Sequence, residues 1–201
     1  MKKIIIKLFI FIFAVMVAAC GCGNKSAGEA TKNINVDRTT VENTIKSYYS
    51  NEVSASNSAL SNYYLNAKMS GVGNVKLMLK AYKVKKIQLI KLYNVKTHGN
   101  YAVMTSTFNT YFDGITNPKP DLEVIALKKE NGIWYIVNDF QNISDSDSNW
   151  IRSTATSEQQ QVSSNAEINK LLVMSDTFNT TNKTFLDNGQ TELNKLETAN
   201  N

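Results

Sequence analysis

The chain has 201 residues and a formal net charge of +5, of which three charges, Lys2, Lys3 and Lys7, precede Cys20. From Cys20 onward it therefore has 182 residues and a net charge of +2, which favours one domain with a tether or tail over two full domains. With two cysteines, both near the N terminus, and one histidine, the sequence excludes a disulfide framework and an ordinary structural zinc site.

The first 20 residues have the parts of a secretory signal. Two lysines begin the segment, an apolar stretch runs to Ala19, and small residues stand just before Cys20. Because the stretch Val17-Ala18-Ala19-Cys20 ends in cysteine, it resembles the bacterial lipoprotein signal with its lipobox. The resemblance implies that residues 1–19 are removed and that the sulfur of Cys20 receives diacylglycerol, with Cys20 as the new N terminus.

Two alternatives remain for this segment: a retained transmembrane helix and an ordinary secreted protein. The apolar stretch from Ile4 to Ala19 is interrupted by Lys7 and is shorter than the roughly 20 residues that span a bilayer. Two or three lipid chains on Cys20 would anchor the protein stably. The lipoprotein interpretation therefore predicts a lipid-anchored protein on the extracytoplasmic face of the cell membrane, without a nucleic-acid partner.

Residues 20–36 are rich in Gly, Ser, Ala, Asn and Lys and predict a flexible linker. The folded part begins at Thr39, where Thr39-Thr40-Val41-Glu42 matches a capping box. Apolar side chains then recur with helical spacing to Ser50, which predicts a first helix. A second helix is predicted from about Ser56, and a short third one at residues 77–81.

From Lys83 the hydrophobic period shifts to two, which predicts strands. Two strands flank a turn at residues 97–100 and end near Phe112. A third strand covers residues 122–127, and Glu130-Asn131-Gly132 predicts a tight hairpin turn before a fourth strand at residues 133–137.

Helices followed by four antiparallel strands, ending in the hairpin at residues 127–136 with its Trp134, resemble the nuclear transport factor 2-like family, which is related in shape to the cystatin fold. The resemblance covers residues 37–140. It implies an α+β domain in which N-terminal helices pack on the concave face of a curved four-stranded antiparallel sheet and leave a conical pocket. The aromatic residues that either line this pocket or simply fill it as core are Tyr48, Tyr63, Tyr93, Phe108 and Trp134.

Residues 141–201 are dominated by Ser, Asp, Asn, Thr and Gln. A short helix is predicted at residues 166–174, and Leu193 with Leu196 indicates a weaker one. Such a polar tail cannot build a core of its own, so we expect it to be disordered, loosely packed on the domain, or ordered by a partner.

Enzymes that resemble this fold move protons with a carboxylate or histidine inside the cone and hold an oxyanion with groups such as tyrosine. The candidates here are His98, Asp113 and Asp139, with hydroxyl donors at Tyr48, Tyr49, Tyr101 and Tyr111. His98 and Asp113 stand in predicted turns, and Asp139 ends the last strand. None forms a recognisable catalytic pair, and Asp145, Asp147 and Asn149 lack the later positions of a calcium loop. We therefore predict no catalytic residue, metal or cofactor.

The charges are unevenly distributed along the chain. No acidic residue occurs between Val53 and Phe112, whereas 13 of them follow. The eight lysines of the first stretch are Lys68, Lys76, Lys80, Lys83, Lys85, Lys86, Lys91 and Lys96. They predict either a basic face against anionic lipids or wall polymers, or exposed strand lysines that the acidic tail neutralises, and we favour the second.

The leading hypothesis is a non-enzymatic lipoprotein that binds a small apolar ligand or another envelope protein. The alternative is a scaffold or immunity-type lipoprotein that acts through its surface and C-terminal tail. A weaker alternative is an isomerase or hydratase that uses Asp139.

Overall fold

The computed structural model describes residues 37–200, which form six α-helices and an open four-stranded antiparallel sheet. The predicted signal segment at residues 1–19, Cys20 and the linker at residues 20–36 lie outside the described residues. The helices are α1 (Val41–Glu52), α2 (Asn57–Ser61), α3 (Val72–Ala81), α4 (Asp145–Gln161), α5 (Ala166–Thr181) and α6 (Lys183–Asn200). The strands are β1 (Val84–His98), β2 (Tyr101–Phe112), β3 (Lys119–Glu130) and β4 (Ile133–Ile136). The predicted α+β class, with N-terminal helices on a four-stranded antiparallel sheet, is confirmed.

The first helix begins one residue later than its capping box predicts. Thr40 is the N-cap, and its hydroxyl oxygen accepts a hydrogen bond from the Asn43 amide at 3.1 Å. The Thr39 hydroxyl instead donates to the Asp37 carboxylate at 2.6 Å. Because Asp37 also accepts from the Asn43 side chain, it holds the entry to α1 in place.

The chain before α1 is attached to the far end of the sheet through Arg38. The Arg38 carbonyl accepts a hydrogen bond from the Trp134 amide at 3.0 Å. Its guanidinium carbon lies 5.5 Å from the centre of the Tyr63 ring and 4.9 Å from that of Tyr135, and the group also donates to the Asn62 carbonyl. These contacts fix the start of the folded domain beside β4.

The sheet has the strand order β1-β2-β3-β4, in which each strand is joined to the next by a turn or loop. The predicted hairpin turn before β4 is confirmed, since Glu130 pairs with Ile133 and both Asn131 and Gly132 have positive φ, at 50° and 82°. The third strand begins at Lys119, three residues before its predicted start, and pairs there with Thr110.

Both faces of the sheet are covered by helices. On β2, Ala102 and Met104 lie in a core with α1, α2 and α3, whereas Tyr101 and Val103 lie in a second core with α4. Every residue of β2 from 101 to 107 is buried in consequence. The strand alternates between two cores, whereas the resemblance implied only the core beneath the N-terminal helices.

The chain after Phe140 is far more helical than its composition predicts, because α4, α5 and α6 cover residues 145–200 almost without a break. The few apolar residues of this region, among them Ile151, Ile168 and Phe178, are buried. Side-chain caps at Ser144 and Asn165 begin α4 and α5. These helices need no core of their own, because α4 and α5 pack on the sheet and α6 packs on α3.

A buried carboxylate joins α4 to the sheet. Glu158 is 1% exposed, and its Oε2 accepts hydrogen bonds from Asn94 at 3.0 Å and Thr105 at 3.3 Å. Its Oε1 receives no well-aligned hydrogen bond but lies 2.8 Å from the Lys96 ammonium, which is its counterion. One acidic residue of the tail is thus neutralised by a strand lysine.

The last helix approaches α3 so closely that one position must be glycine. Gly189 is buried against the ring of Tyr82, and a Cβ placed there would overlap that ring. The Tyr82 hydroxyl donates to Gln190 at 3.1 Å.

Within residues 37–200, no helix combines the length and the apolar composition that crossing a membrane requires.

Candidate functional site

The candidate site is a cluster of two carboxyl groups and three tyrosines between α1 and the sheet. From α1 come Tyr48, Tyr49 and Glu52, all of them buried. Glu52 lies three and four positions after the two tyrosines, the spacings that place side chains on one side of a helix. The sheet contributes Glu123 from β3, and Tyr64 follows α2. We call these five residues the carboxyl–tyrosine cluster.

Hydrogen bonds divide the cluster into two chains. In the first, the Tyr48 hydroxyl lies 3.1 Å from Glu52 Oε1, to which it donates, and 2.8 Å from the Tyr64 hydroxyl. In the second, the Tyr49 hydroxyl donates to Glu123 Oε1 and lies 3.0 Å from Ser106 Oγ. Each carboxyl therefore has one tyrosine as its hydrogen-bond donor.

Aromatic rings surround these polar groups. The centre of the Tyr48 ring lies 5.6 to 5.8 Å from those of Tyr49, Tyr63 and Tyr64. Phe108 packs on Tyr49 at 4.8 Å. These separations are those of favourable edge-to-face and tilted ring pairs. The cluster is thus a polar network inside an aromatic layer.

Both carboxyls titrate well above their ordinary range. Burial, and after it the charge of Glu123, raises the pKa of Glu52 to about 8. Glu123 keeps some exposed surface, but its carboxyl is crowded by protein atoms, and this burial raises its pKa to about 7. The hydrogen bonds from Tyr48 and Tyr49 act in the opposite direction, because they favour the charged forms. Near neutral pH the cluster can therefore hold or release protons.

The nearest cations stand at the edges of the cluster. Lys76 of α3 donates to the backbone carbonyls of Glu52 and Val53, at 2.7 and 2.9 Å, and so caps the end of α1. Burial lowers the Lys76 pKa. On β3, the buried Lys119 pairs with Asp121 at 2.5 Å, and burial raises the pKa of that aspartate.

Four of the five predicted ligand residues, Tyr48, Tyr63, Phe108 and Trp134, lie in one core on the α1 face. Tyr93 does not join them. Its hydroxyl donates to Glu167 of α5 at 3.0 Å, which places it on the opposite face of the sheet. The pairing of β1 with β2 shifts between Leu89 and Lys91, and this shift moves the following residues to the other face.

The other chemical candidates lie outside the cluster. His98 stacks on Trp150 with ring centres 5.2 Å apart, and Asp113 forms an exposed ion pair with Lys85. Asp139 accepts hydrogen bonds from the Asn66 side chain and the Gln141 amide, and both bonds lower the Asp139 pKa, the first more than the second. Tyr101 packs in the α4 core, and Tyr111 lies under the Lys86 ammonium. In residues 37–200, no three potential metal-ligating side chains of His, Cys, Asp or Glu come together.

Sequence reasoning named Tyr48 and Tyr49 as donors but missed both acceptors, Glu52 and Glu123. Glu52 follows Tyr48 by four residues, a spacing that places both on one side of a helix. That signal was present in the sequence. Glu123 had no local signal, because its partner Tyr49 is 74 residues away.

Two of the eight lysines pair with the acidic C-terminal region, Lys91 with Glu167 at 2.8 Å and Lys96 with Glu158. These ion pairs are the arrangement expected if the tail neutralises strand lysines.

No protein-family model and no curated protein matches this chain.

Proposed function

We propose that the chain is a lipid-anchored, extracytoplasmic binding protein without catalytic activity, whose ligand is a small and largely apolar molecule. The observation that carries the proposal is the carboxyl–tyrosine cluster. Small-molecule sites typically combine apolar and aromatic walls with a few well-placed polar groups. Glu52 and Glu123, each with a tyrosine donor, provide such groups within an aromatic layer.

The anchor can be tested on the protein extracted from bacterial membranes. We expect an intact mass that corresponds to cleavage before Cys20 plus diacylglycerol, and we expect Cys20→Ala to lose this modification. An uncleaved or unmodified chain would contradict the lipoprotein proposal.

The ligand site can be tested with the neutral apolar dye N-phenyl-1-naphthylamine, whose fluorescence rises in apolar surroundings. We expect saturable binding that Phe108→Ala weakens by about tenfold, since one aromatic contact contributes about 1–2 kcal/mol. Phe140→Ala is the matched control, because Phe140 is also partly buried but belongs to the opposite core. An equal effect of both substitutions, or no saturable binding, would argue against a site beneath α1.

A second candidate function is proton transfer of the isomerase or hydratase type. It is favoured by the near-neutral pKa values of Glu52 and Glu123 beside tyrosine donors, and these carboxyls would replace Asp139 as the acid or base. The test is deuterium incorporation from D2O into a panel of small cyclic ketones, followed by NMR. Incorporation that Glu52→Gln and Glu123→Gln abolish, and that the control Glu42→Gln retains, would support it. Incorporation no faster than in a solution from which the protein has been removed by filtration would contradict it.

A further inference from the structure

The two carboxyls beneath α1 lack the charge compensation that buried acids usually have. Within the described residues, Glu52 and Glu123 form no ion pair with lysine or arginine, and each depends on a tyrosine hydroxyl. The buried Glu158 on the other face shows the contrast, because Lys96 neutralises it at 2.8 Å. A buried carboxylate without a counterion is costly, and it stays buried most readily when it is protonated.

Charged and titratable groups face the pair from every element packed around it, and they act in both directions: the acidic groups disfavour its ionisation, whereas the Tyr48 and Tyr49 donors and Lys76 favour it. They are Tyr48 and Tyr49 on α1, Tyr64 after α2, Lys76 on α3, and Lys119 with Asp121 on β3. Glu123 and Glu52 repel each other when both are charged, and Asp121 adds to the repulsion on Glu123. Lys76 opposes these effects only partly, since its ammonium binds the backbone carbonyls at the end of α1.

We infer that α1, with α2 and α3, is a proton-sensitive lid: it stays closed on the sheet while Glu52 and Glu123 are neutral and opens when both carboxyls ionise. The opening would admit water to the cluster and solvate the two charges. It would also expose the aromatic layer of the proposed ligand site. The inference concerns the folded domain itself and does not depend on whether that site binds a ligand.

The direction of the pH dependence follows from linkage. Both carboxyls have a higher pKa in the closed domain, about 8 and about 7, than the ordinary value of 4.5 that they regain in water. The closed state therefore holds more protons between pH 4.5 and 8, so closure weakens as the pH rises through that range. Each ionising carboxyl can change the opening equilibrium by up to about tenfold per pH unit.

The opening should be local because the other face of the sheet has an independent core. Ile151 and Val103 of that core do not belong to the apolar core beneath α1, α2 and α3. The anchor of α4 is the Glu158–Lys96 pair, which is charge-balanced. Consequently, α4 serves as an internal reference in the same molecule.

The test is hydrogen exchange of the full chain in detergent micelles between pH 5.5 and 8.5, with each rate divided by that of an unstructured peptide at the same pH. We expect the protection of α1 to fall at least tenfold more than that of α4 across this range. A parallel loss in both helices, or constant protection of α1, would overturn the inference.

Variants assign the effect to the two carboxyls. Glu52→Gln and Glu123→Gln should each retain the protection of α1 at pH 8.5, because an amide cannot ionise. Glu42→Gln, at an exposed position of the same helix, should behave as the wild type. If neither amide variant folded at pH 5.5, the inference would also fail, because the neutral form would then not suffice for closure. Retained protection in Glu42→Gln would overturn it as well.

Discussion

The hydroxyls of Tyr48 and Tyr49 are the donors on which the buried carboxyls of Glu52 and Glu123 depend. A hydrogen bond to a charged group contributes about 1.5–3 kcal/mol, and a buried acceptor that loses its donor keeps its full desolvation penalty. The free-energy cost of burying each of these two carboxyls therefore depends on one tyrosine hydroxyl group.

We expect Tyr49→Phe to lower the free energy of unfolding by about 1–3 kcal/mol, because Glu123 and Ser106 both lose their contact with its hydroxyl. The loss should be larger at pH 8 than at pH 5.5. The Tyr49 hydrogen bond lowers the pKa of Glu123, which means that it stabilises the charged carboxylate more than the neutral acid. Urea denaturation at both pH values measures the effect.

Tyr135→Phe is the control for this prediction. The Tyr135 ring stacks under Arg38, but within residues 37–200 its hydroxyl has no hydrogen bond. Its removal should change the unfolding free energy by less than about 0.5 kcal/mol. A loss in Tyr135→Phe equal to that in Tyr49→Phe would mean that the cluster is not responsible.

How much of the site the sequence predicts depends on the separation of the residues involved. The helical period brings Tyr48 to the α1 face, and the alternation of β2 brings Phe108 there. The predicted placement of Tyr93 beside these residues is wrong, because the register shift in β1 that moves it to the other face has no sequence signal. The pairing of Glu123 with Tyr49 depends on the packing of α1 on a strand that is distant in sequence. Local periodicity predicts faces, whereas partners across the core require the assembled fold.

Among the elements, α4 is attached to β1 by an ion pair between the buried Glu158 carboxylate and Lys96, whose side chain is partly exposed. Lys96→Met should lower the unfolding free energy by about 2 kcal/mol, because Glu158 remains buried without its counterion. The value is below the about 3–5 kcal/mol of fully buried pairs, since the Lys96 side chain is 41% exposed. Lys91 is on the same strand as Lys96 and forms an exposed ion pair with Glu167 of α5. Its replacement, Lys91→Met, should leave the urea midpoint nearly unchanged. Equal losses would contradict the assignment of the anchor to Glu158.

The docking of α6 on α3 depends on the absence of a side chain at Gly189. Gly189→Ala should destabilise the domain by about 1–3 kcal/mol and make α6 more accessible to protease, because the new methyl group overlaps the Tyr82 ring. Gly73→Ala in α3 is the opposite case, since a Cβ there meets no atom within 4 Å. It should raise stability by about 0.5–1 kcal/mol through helix propensity, and thermal denaturation would detect both signs.

The hairpins were predictable because their signals are short-range, as with the Asn131-Gly132 turn. In the C-terminal region, the helix predicted at residues 166–174 lies within α5 and the weaker one at Leu193 and Leu196 lies within α6, but α4 had no prediction. The apolar residues of these helices are too sparse to indicate that they pack on the sheet. Ile151, Ile168 and Phe178 are effective only against a surface that the sheet has already formed. Composition therefore described the tail correctly as polar but did not reveal that its few apolar residues pack on the domain.

For the whole molecule, deletion of residues 141–201 should leave an insoluble or unfolded product rather than a domain that has lost a partner. The deletion would expose Tyr101 and Val103 of β2 and the remaining residues of the α4 core. A chain that lacks only α6, through deletion of residues 183–201, should remain soluble, because α4 and α5 still cover the core on that face. Circular dichroism and sedimentation of both products would test this prediction, and a soluble, folded chain that ends at residue 140 would contradict it.

A partner that acts on the C-terminal region is therefore better sought by substitution than by deletion. Val173 and Met174 on α5 are 65% and 48% exposed, so they can be replaced by polar residues without disturbing either core. Loss of a partner in such a variant would support the surface-acting alternative.

The attachment of Arg38 beside Trp134 also has a mechanical consequence. A pull on the N-terminal segment would reach the folded domain at the first residues of the four-residue β4, where the Trp134 amide binds the Arg38 carbonyl. The force would then load the contacts of Arg38 with Tyr63 and Tyr135 before the helices of the opposite face. We expect the domain to yield under tension by peeling at this edge, while the central strand β2 remains paired on both sides.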